Sequence, residues 1–390
     1  MVYVIVLFFI IICIIFYDLR NLKNGWVCYY TLMFIFILVA GLRYRVGGDS
    51  LAYADKFVYC PTLIDLSINN MLEGIYEPAW YLLNSFAKTV CNDFVVFQIF
   101  HAIIINVSVF YIVKKYTQYK FSAILLYALF GYTDYNMEVL RESLAICVFL
   151  CSISCFLQKE WGKYFLFVGF ALLFHLSAII LLFIPFCYFI PKKISILKFI
   201  ILLVCIGGIL SSINVTYFIE QFMPFDKLLN KASSYIGFTS NLNAFLMRLI
   251  KLFPIILLLY VQRRNKLDLL GFEIFVYAYC CISVFAIFIP FFIRFSNYLN
   301  IPICLYVVNI FYNIYRSYKI KQLSFLFCSM ALGGMLLLNF WYPMTLDMSK
   351  YFPQGKYYHL YLPYNSIFDR QRNERREAIF YNSMLDVWEK

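Results

Sequence analysis

The stretch GLRYRVGGDSLAY, residues 41–53, concentrates residue types that bind phosphate groups. Arg43 and Arg45 stand one residue apart, and the carboxylate of Asp49 follows a glycine pair. A guanidinium is a planar fork of hydrogen-bond donors that keeps its charge, so it grips phosphate well. Because this stretch follows a long apolar run, we expect its side chains at a lipid–water boundary, facing a phosphate or pyrophosphate.

Three further arginines are candidates for the same site, since charges near helix ends in an apolar chain suggest function. Arg141, in EVLRESLA, stands between Glu138 and Glu142. It is either an ion pair at a helix start or an arginine that a carboxylate orients for phosphate binding. Arg294 stands alone among aromatic residues in FFIRFSNY, which favours a ligand-binding role. Arg248 is also typical of a side chain reaching from a helix end to the headgroups.

One histidine is a candidate for proton transfer. His175 lies in LLFHLSA, with no acidic residue beside it. A lone histidine in an apolar stretch is often a hydrogen-bonded core residue. A position at a break between helices instead favours a general base, because the imidazole titrates near neutral pH. Both interpretations remain open at this point.

The composition indicates a membrane protein. The 390 residues are 63% hydrophobic and only 14% charged. The net charge of +12 lies in short clusters between apolar runs, which is typical of cytoplasmic loops and argues against nucleic-acid binding. The chain has no Walker A loop, dinucleotide fingerprint or HExxH motif. We therefore expect no metal and no cofactor.

The apolar runs predict an all-α polytopic protein with about twelve transmembrane segments. The runs lie near residues 2–17, 26–42, 93–113, 120–133, 138–157, 162–174, 176–190, 197–211, 244–261, 269–290, 295–314 and 323–341. Six of the joins between them are short and basic, and placing all six in the cytoplasm requires residues 162–190 to form two segments. The sequence therefore predicts a short broken hairpin with His175 at its tip.

This arrangement places the other joins outside. The two long outer loops are 43–92 and 212–243, and the charged tail 342–390 follows the last run. The first of these loops contains EPAWYLLNSFAK, which is predicted to form an amphipathic interfacial helix. Without a visible repeat or linker, residues 1–390 are interpreted as a single multi-pass domain.

Several motifs in order resemble a known family. Residues 43–53 resemble the R-x-x-x-G-x-D-x-x-x-Y opening of the EpsG-type exopolysaccharide polymerases, a Wzy-like group, which adds Tyr53 to the candidate residues. EPAWYLLN, LRESLA, LLFHLSAII, RFSNYL and PYNSIFDR follow in the order of that family. The resemblance runs from about residue 41 to the C-terminus, although the charged tail after Phe368 departs from the pattern.

The resemblance implies a GT-C-like glycosyltransferase of the bacterial inner membrane, with its active site facing the periplasm or exterior. Such a polymerase moves a growing glycan from undecaprenyl pyrophosphate onto another lipid-linked repeat unit, with a chain-length regulator as a possible partner. The expected phosphate ligands are Arg43, Arg45, Arg141 and Arg294, converging on one face, with Arg248 and Tyr53 also binding substrate. Asp49 would orient Arg45 or the acceptor sugar, and His175 would take the acceptor proton.

Two other functions remain open from sequence. A flippase or other transporter of lipid-linked glycans also needs a basic cavity, but usually shows two related halves. An acyltransferase acting on surface sugars is multi-pass too, with a histidine and an arginine expected near the cytoplasmic side. Here His175 and the isolated arginines map outside.

Overall fold

A computed structural model of the protein describes residues 2–22, 24–67, 71, 76–190, 194–212, 242–288, 290–316, 322–348 and 355–388. The described residues are predominantly helical and contain no strand, which confirms the all-α prediction. The predicted outer loop 212–243 lies outside the described residues except at its two ends.

Among the described residues, six helices are long and apolar enough to cross a membrane, so the chain is a multi-pass membrane protein. They are Val2–Leu19, Phe94–Tyr116, Leu140–Leu157, Phe245–Asn265, Phe292–Arg316 and Gln322–Met344. Shorter apolar helices add Trp26–Gly41, Lys120–Phe130, Trp161–Leu172, Leu176–Phe189, Ile196–Leu210 and Glu273–Ala286. The total of about twelve crossings stays a prediction, because it requires the shorter helices to span as well.

The chain forms two compact units. The first comprises Met1–Leu182 and Gln354–Phe380. Its helices are α1 (Val2–Cys13), α2 (Trp26–Gly41), α3 (Asp49–Phe57), α4 (Pro78–Val90), α5 (Phe94–Tyr116), α6 (Lys120–Phe130), α7 (Leu140–Leu157) and α8 (Trp161–Leu172). It also holds π-helical turns at Ile14–Leu19 and Asp134–Glu138, and 3-10 helices at Leu176–Leu182 and Tyr357–Leu360.

The second unit comprises Phe183–Pro353 and Tyr381–Lys390. Its elements are the 3-10 helices Ile184–Phe189 and Pro290–Leu299, helices α9 (Ile196–Ser212), α10 (Leu242–Asn265), α11 (Glu273–Phe288), α12 (Asn300–Arg316), α13 (Gln322–Met335) and α14 (Tyr342–Met344), and the π-helical turn Leu336–Trp341. The chain closes with α15 (Glu374–Trp388), which supplies its residues up to Phe380 to the first unit. The single domain expected from sequence stays a prediction.

The break near residue 175 is confirmed. Helix α8 ends at Leu172, and the chain continues from Leu176 as 3-10 helix. The start of α4 satisfies backbone groups freed by this break. The Ala79 N–H donates to the Leu173 carbonyl at 3.0 Å, and the Leu176 N–H donates to Glu77 Oε1 at 3.1 Å. Irregular backbone at the end of an apolar hairpin is thus covered by protein, as a membrane requires.

Two of the basic joins lie close together in the first unit. Lys114 donates to the Tyr30 hydroxyl at 2.8 Å, and the Asp18 carboxylate accepts the backbone N–H of Ser122 at 2.7 Å. These contacts bring the joins 18–25 and 114–120 to one side of the first unit. The stretch 41–53 follows the far end of α2 and therefore lies on the other side.

The C-terminal tail folds back onto the stretch 41–53. The Tyr44 N–H donates to the Asn365 carbonyl at 2.9 Å, and the Ile367 N–H donates to the Leu42 carbonyl at 3.0 Å. Further along, the Gly47 N–H donates to the Leu360 carbonyl at 3.0 Å. The tail and the stretch 41–53 therefore share one side of the membrane. Sequence alone left the tail beyond Phe368 without a place in the fold.

Replacing Gly47 by alanine should destabilise this junction by about 2–3 kcal/mol. Its φ is 103°, and an added Cβ would lie 2.7 Å from the Met137 carbonyl oxygen. Thermal unfolding in detergent measures the effect as a fall in midpoint temperature. Gly169→Ala is the matched control, because a Cβ there meets nothing within 4 Å. Equal midpoints for the two variants would contradict the strain assigned to Gly47.

Candidate active site

Arg141 is the centre of a polar cluster at the start of α7. Its Nη1 lies 2.8 Å from Glu77 Oε2, and its Nε donates to the Tyr53 hydroxyl at 3.1 Å. The remaining nitrogen, Nη2, makes no hydrogen bond to the described residues. With 18% of the side chain exposed, the guanidinium is held firmly and can still be reached by a ligand. Neither Glu138 nor Glu142, its neighbours in sequence, is its ion-pair partner.

Glu77 is the site residue that sequence reasoning missed. It precedes Pro78, which starts α4 because its missing N–H is not needed there. One carboxylate oxygen pairs with Arg141 and the other accepts the Leu176 N–H. Burial opposes ionisation of Glu77, but Arg141 and these hydrogen bonds outweigh it, so the pKa of Glu77 is lowered. The sequence signal that could have identified Glu77 was its position as a carboxylate at the start of the amphipathic EPAWYLLN helix.

Aromatic side chains pack against the Arg141 guanidinium. Its carbon atom lies 4.5 Å from the centre of the Tyr76 ring and 5.9 Å from that of Tyr53. Trp80 supports Tyr53, with ring centres 5.0 Å apart. A cation over aromatic faces is stabilised by the ring quadrupoles. Tyr53 therefore contacts Arg141 and takes part in the site. It lies in α3, a helix that the sequence did not pair with α7.

His175 lies at the broken hairpin, where its nitrogen Nδ1 is engaged. The Ser177 N–H donates to Nδ1 at 3.1 Å, and the Ser177 hydroxyl lies 2.6 Å from the same atom. A backbone N–H is always a donor, so Nδ1 accepts and the neutral ring carries its proton on Nε2. In this arrangement Nε2 of His175 is a donor, whereas the family resemblance implied that His175 accepts a proton.

Arg43 is buried, whereas the sequence predicted its side chain at the lipid–water boundary; its role as a phosphate ligand stays a prediction. Only 1% of it is exposed, and its guanidinium donates to the Val46 carbonyl at 3.2 Å, to Ser50 Oγ at 3.0 Å and to the Ala40 carbonyl. Burial lowers its pKa to about 10. Arg43 thus organises the turn between α2 and α3.

Arg45 pairs with the tail. Its guanidinium lies 2.5 Å from Glu377 Oε1 and 3.2 Å from Asp55 Oδ1. Burial opposes the charge, but the two carboxylates outweigh it and raise the pKa of Arg45. Its carbonyl accepts a hydrogen bond from Arg376 at 2.8 Å. Asp55 and Glu377 orient Arg45, and the expected role of Asp49, to orient Arg45 or the acceptor sugar, stays a prediction.

Asp49 begins α3 and is exposed. Its backbone N–H donates to Glu138 Oε2 at 2.9 Å, so the first turn of α3 rests on a carboxylate from the turn before α7. Asp49 and Tyr53 are four residues apart and share one face of α3. Tyr53 in turn contacts Arg141, which places the Asp49 carboxylate on the same face of α3 as the Arg141 cluster.

Arg248 and Arg294 belong to the second unit. Arg248 lies in α10 and Arg294 in the 3-10 helix Pro290–Leu299, and both are half-buried. The expected convergence of Arg294 with Arg141 on one face, and substrate binding by Arg248, stay predictions. Among the described residues, no group of three or more histidine, cysteine or acidic side chains could hold a metal ion.

These features define a multi-pass membrane protein with an arginine, a carboxylate and aromatic side chains gathered where its apolar helices end. The sequence model of the EpsG family matches residues 26–366. The protein therefore belongs to the EpsG family, the family of exopolysaccharide and Wzy-like polymerases. No curated protein matches the chain. No solved structure matches it either.

The family match confirms the resemblance seen in the motifs. It begins before residue 41, within the first turn of α2, and it ends at residue 366, close to Phe368 where the tail departs from the family pattern. Membership suggests a polysaccharide polymerase role and implies a glycosyltransferase-type polymerase at the level of the family.

Proposed function

We propose that the protein is a polysaccharide polymerase of the bacterial inner membrane. It moves a growing glycan from undecaprenyl pyrophosphate onto a lipid-linked repeat unit at the outer face of that membrane. The observation that carries the proposal is Arg141, fixed by Glu77 and Tyr53 through Nη1 and Nε, with 18% of its side chain exposed. An arginine held in this way suits a pyrophosphate at a membrane surface.

Arg141 binds the donor pyrophosphate through Nη2. The acceptor hydroxyl oxygen attacks the anomeric carbon of the donor sugar, and the bond from that carbon to the pyrophosphate oxygen breaks. The pyrophosphate gains negative charge as it leaves, and a preorganised guanidinium stabilises that charge. The released undecaprenyl pyrophosphate remains in the membrane.

The acceptor proton goes to a carboxylate. Asp49 is exposed on the face of α3 that carries Tyr53, whereas Nδ1 of His175 already accepts from Ser177. We therefore assign the base to Asp49 and give His175 the role of donating Nε2–H to the substrate. Arg43 and Arg45 act as positioning residues, because one is buried and the other is paired with two carboxylates.

The number of crossings, the second substrate site and the partners are proposed from what membership of the family implies. The six shorter apolar helices complete about twelve crossings in a GT-C-like arrangement, and Arg248 and Arg294 of the second unit bind the second lipid-linked substrate. Substrate lipids surround the exposed apolar helix faces. The reaction uses no metal or cofactor, and a chain-length regulator is a proposed partner.

Deletion of the gene tests this function. Surface polysaccharide would be sized by gel electrophoresis and mass spectrometry, with wild type or Arg141→Ala supplied in trans. The polymerase proposal predicts that long chains vanish while single repeat units persist, and that only wild type restores the chains. Repeat units that accumulate inside the cell would indicate transport. Unchanged chain length with loss of acyl groups would indicate an acyltransferase.

A further inference from the structure

Glu138 is a half-buried carboxyl at a junction of three segments. Its Oε1 accepts the Gly48 N–H at 2.7 Å, and its Oε2 accepts the Asp49 N–H at 2.9 Å. The Tyr361 hydroxyl, from the tail, lies 2.8 Å from Oε1. A Cβ on Gly48 would lie 2.6 Å from Oε2, so only glycine allows this approach. One carboxyl therefore ties the head of α3 to the tail and to the turn that precedes α7.

The hydrogen bonds continue into the tail. The Tyr361 hydroxyl lies 2.8 Å from the Tyr357 hydroxyl, which hydrogen-bonds to Asp134. Three hydrogen bonds thus link two carboxyls through two hydroxyls. Two hydroxyl hydrogens can fill only two of these bonds, because each hydroxyl donates once. The third bond needs a proton on Glu138 or Asp134.

The groups around Glu138 favour Glu138, rather than Asp134, as the carboxyl that carries the third proton. Burial and the negative charge of Asp49 raise the pKa of Glu138 to about 8, whereas burial raises that of Asp134 to about 6. Arg43 is the cation near Glu138, and its guanidinium is committed to its own turn. Glu138 and Asp49 are neighbouring carboxyls, so the charge on one disfavours ionisation of the other at neutral pH, and the pair divides into an acid and a base.

We propose that Glu138 is a positioning residue that keeps a proton at neutral pH and, held by Tyr361, fixes Asp49 as the ionised base beside Arg141. The inference rests on the proposed function where Asp49 accepts the acceptor proton. The tail then takes part in the proposed site, because the hydroxyls of Tyr361 and Tyr357 complete a hydrogen-bond chain that keeps the charge on Asp49.

The pH dependence has a definite sign. Below pH 8 Glu138 is neutral and the junction is intact. The ordinary pKa of a glutamate is about 4.5, so stability falls as the pH rises from there to about 8, where folded Glu138 ionises next to Asp49, and it levels off above 8. Activity, which follows the protonated folded form, falls as the pH rises through 8. Glu138→Gln cannot ionise and should lose this fall. Tyr361→Phe removes two of the three bonds of the chain, including the one to Glu138, and it should weaken activity about tenfold.

Two measurements on the purified full chain in detergent test the inference. Thermal midpoints between pH 6 and 9.5 need no substrate, and the rate of polymer formation from lipid-linked repeat units follows over the same range. Tyr364→Phe is the matched control, since its hydroxyl donates to the Val39 carbonyl outside the chain of carboxyls. We expect the midpoints of wild type and Tyr364→Phe to fall from pH 6 to about 8 and then level off, and their rates to fall as the pH rises through 8. Glu138→Gln should show neither fall.

The outcomes are distinguishable. Parallel pH curves for wild type and Glu138→Gln, differing only in height, would mean a purely structural glutamate and would overturn the inference. A fall in the wild-type midpoint that Glu138→Gln abolishes supports the protonated carboxyl even if no polymer forms, and in that case the polymerase function alone fails.

Discussion

Replacing Arg141 by lysine should lower polymer formation at least about 100-fold, although the positive charge remains. Lysine cannot bond Glu77 and Tyr53 in one plane while it presents another donor to a phosphate. Arg141→Ala should be at least as inactive. Rates of polymer formation from lipid-linked repeat units in proteoliposomes would measure the loss, at protein levels matched by immunoblot.

Arg264→Lys is the control for charge and expression. Arg264 lies at the far end of α10, with its guanidinium on the Tyr260 hydroxyl, and it has no role in the proposed site. Its variant should keep wild-type activity. Polymer of normal yield and length from Arg141→Lys would remove Arg141 from donor binding.

Glu77→Gln is expected to reduce activity about 10–100-fold with little loss of folded protein. The amide keeps the shape but removes the charge that pairs with Arg141, and it replaces one of two acceptor oxygens. Either Arg141 or the Leu176 N–H at the broken hairpin then loses its partner. The apparent substrate affinity should fall too, because a loosened guanidinium binds pyrophosphate less well.

The matched control is Glu160→Gln. Glu160 pairs with Lys163 at 3.0 Å, but both side chains are largely exposed, so this ion pair contributes little. In the double variant Glu77→Gln with Arg141→Lys, the losses should be far from additive, because both changes break one interaction. Additive losses would mean that Glu77 acts independently of Arg141.

Much of the fold could be predicted from short-range patterns in the sequence. Apolar runs of membrane length predicted the helices, because lipid forces each segment to satisfy its own backbone hydrogen bonds. The same reasoning predicted the break at His175 from the spacing of basic joins. Motif order was sufficient to identify the family, and it singled out Arg141 and Tyr53.

The partners of these residues required the tertiary structure. Arg141 is 64 positions from Glu77 and 88 from Tyr53. Sequence offered its nearest carboxylates, Glu138 and Glu142, but the direction of α7 points the side chain elsewhere. Arg43 and Arg45 illustrate the reverse case, since residues suited to phosphate became structural once the turn and the tail closed around them.

The sequence by itself determined that the chain is helical, crosses the membrane repeatedly and belongs to this family, because these properties depend on the hydrophobicity and order of short segments. Only the tertiary structure decided which arginine is buried, that Glu77 pairs with Arg141, and that the tail packs on the stretch 41–53. Those outcomes depend on contacts between segments far apart in the chain, and desolvation of each charge is offset only by the partners that folding brings to it.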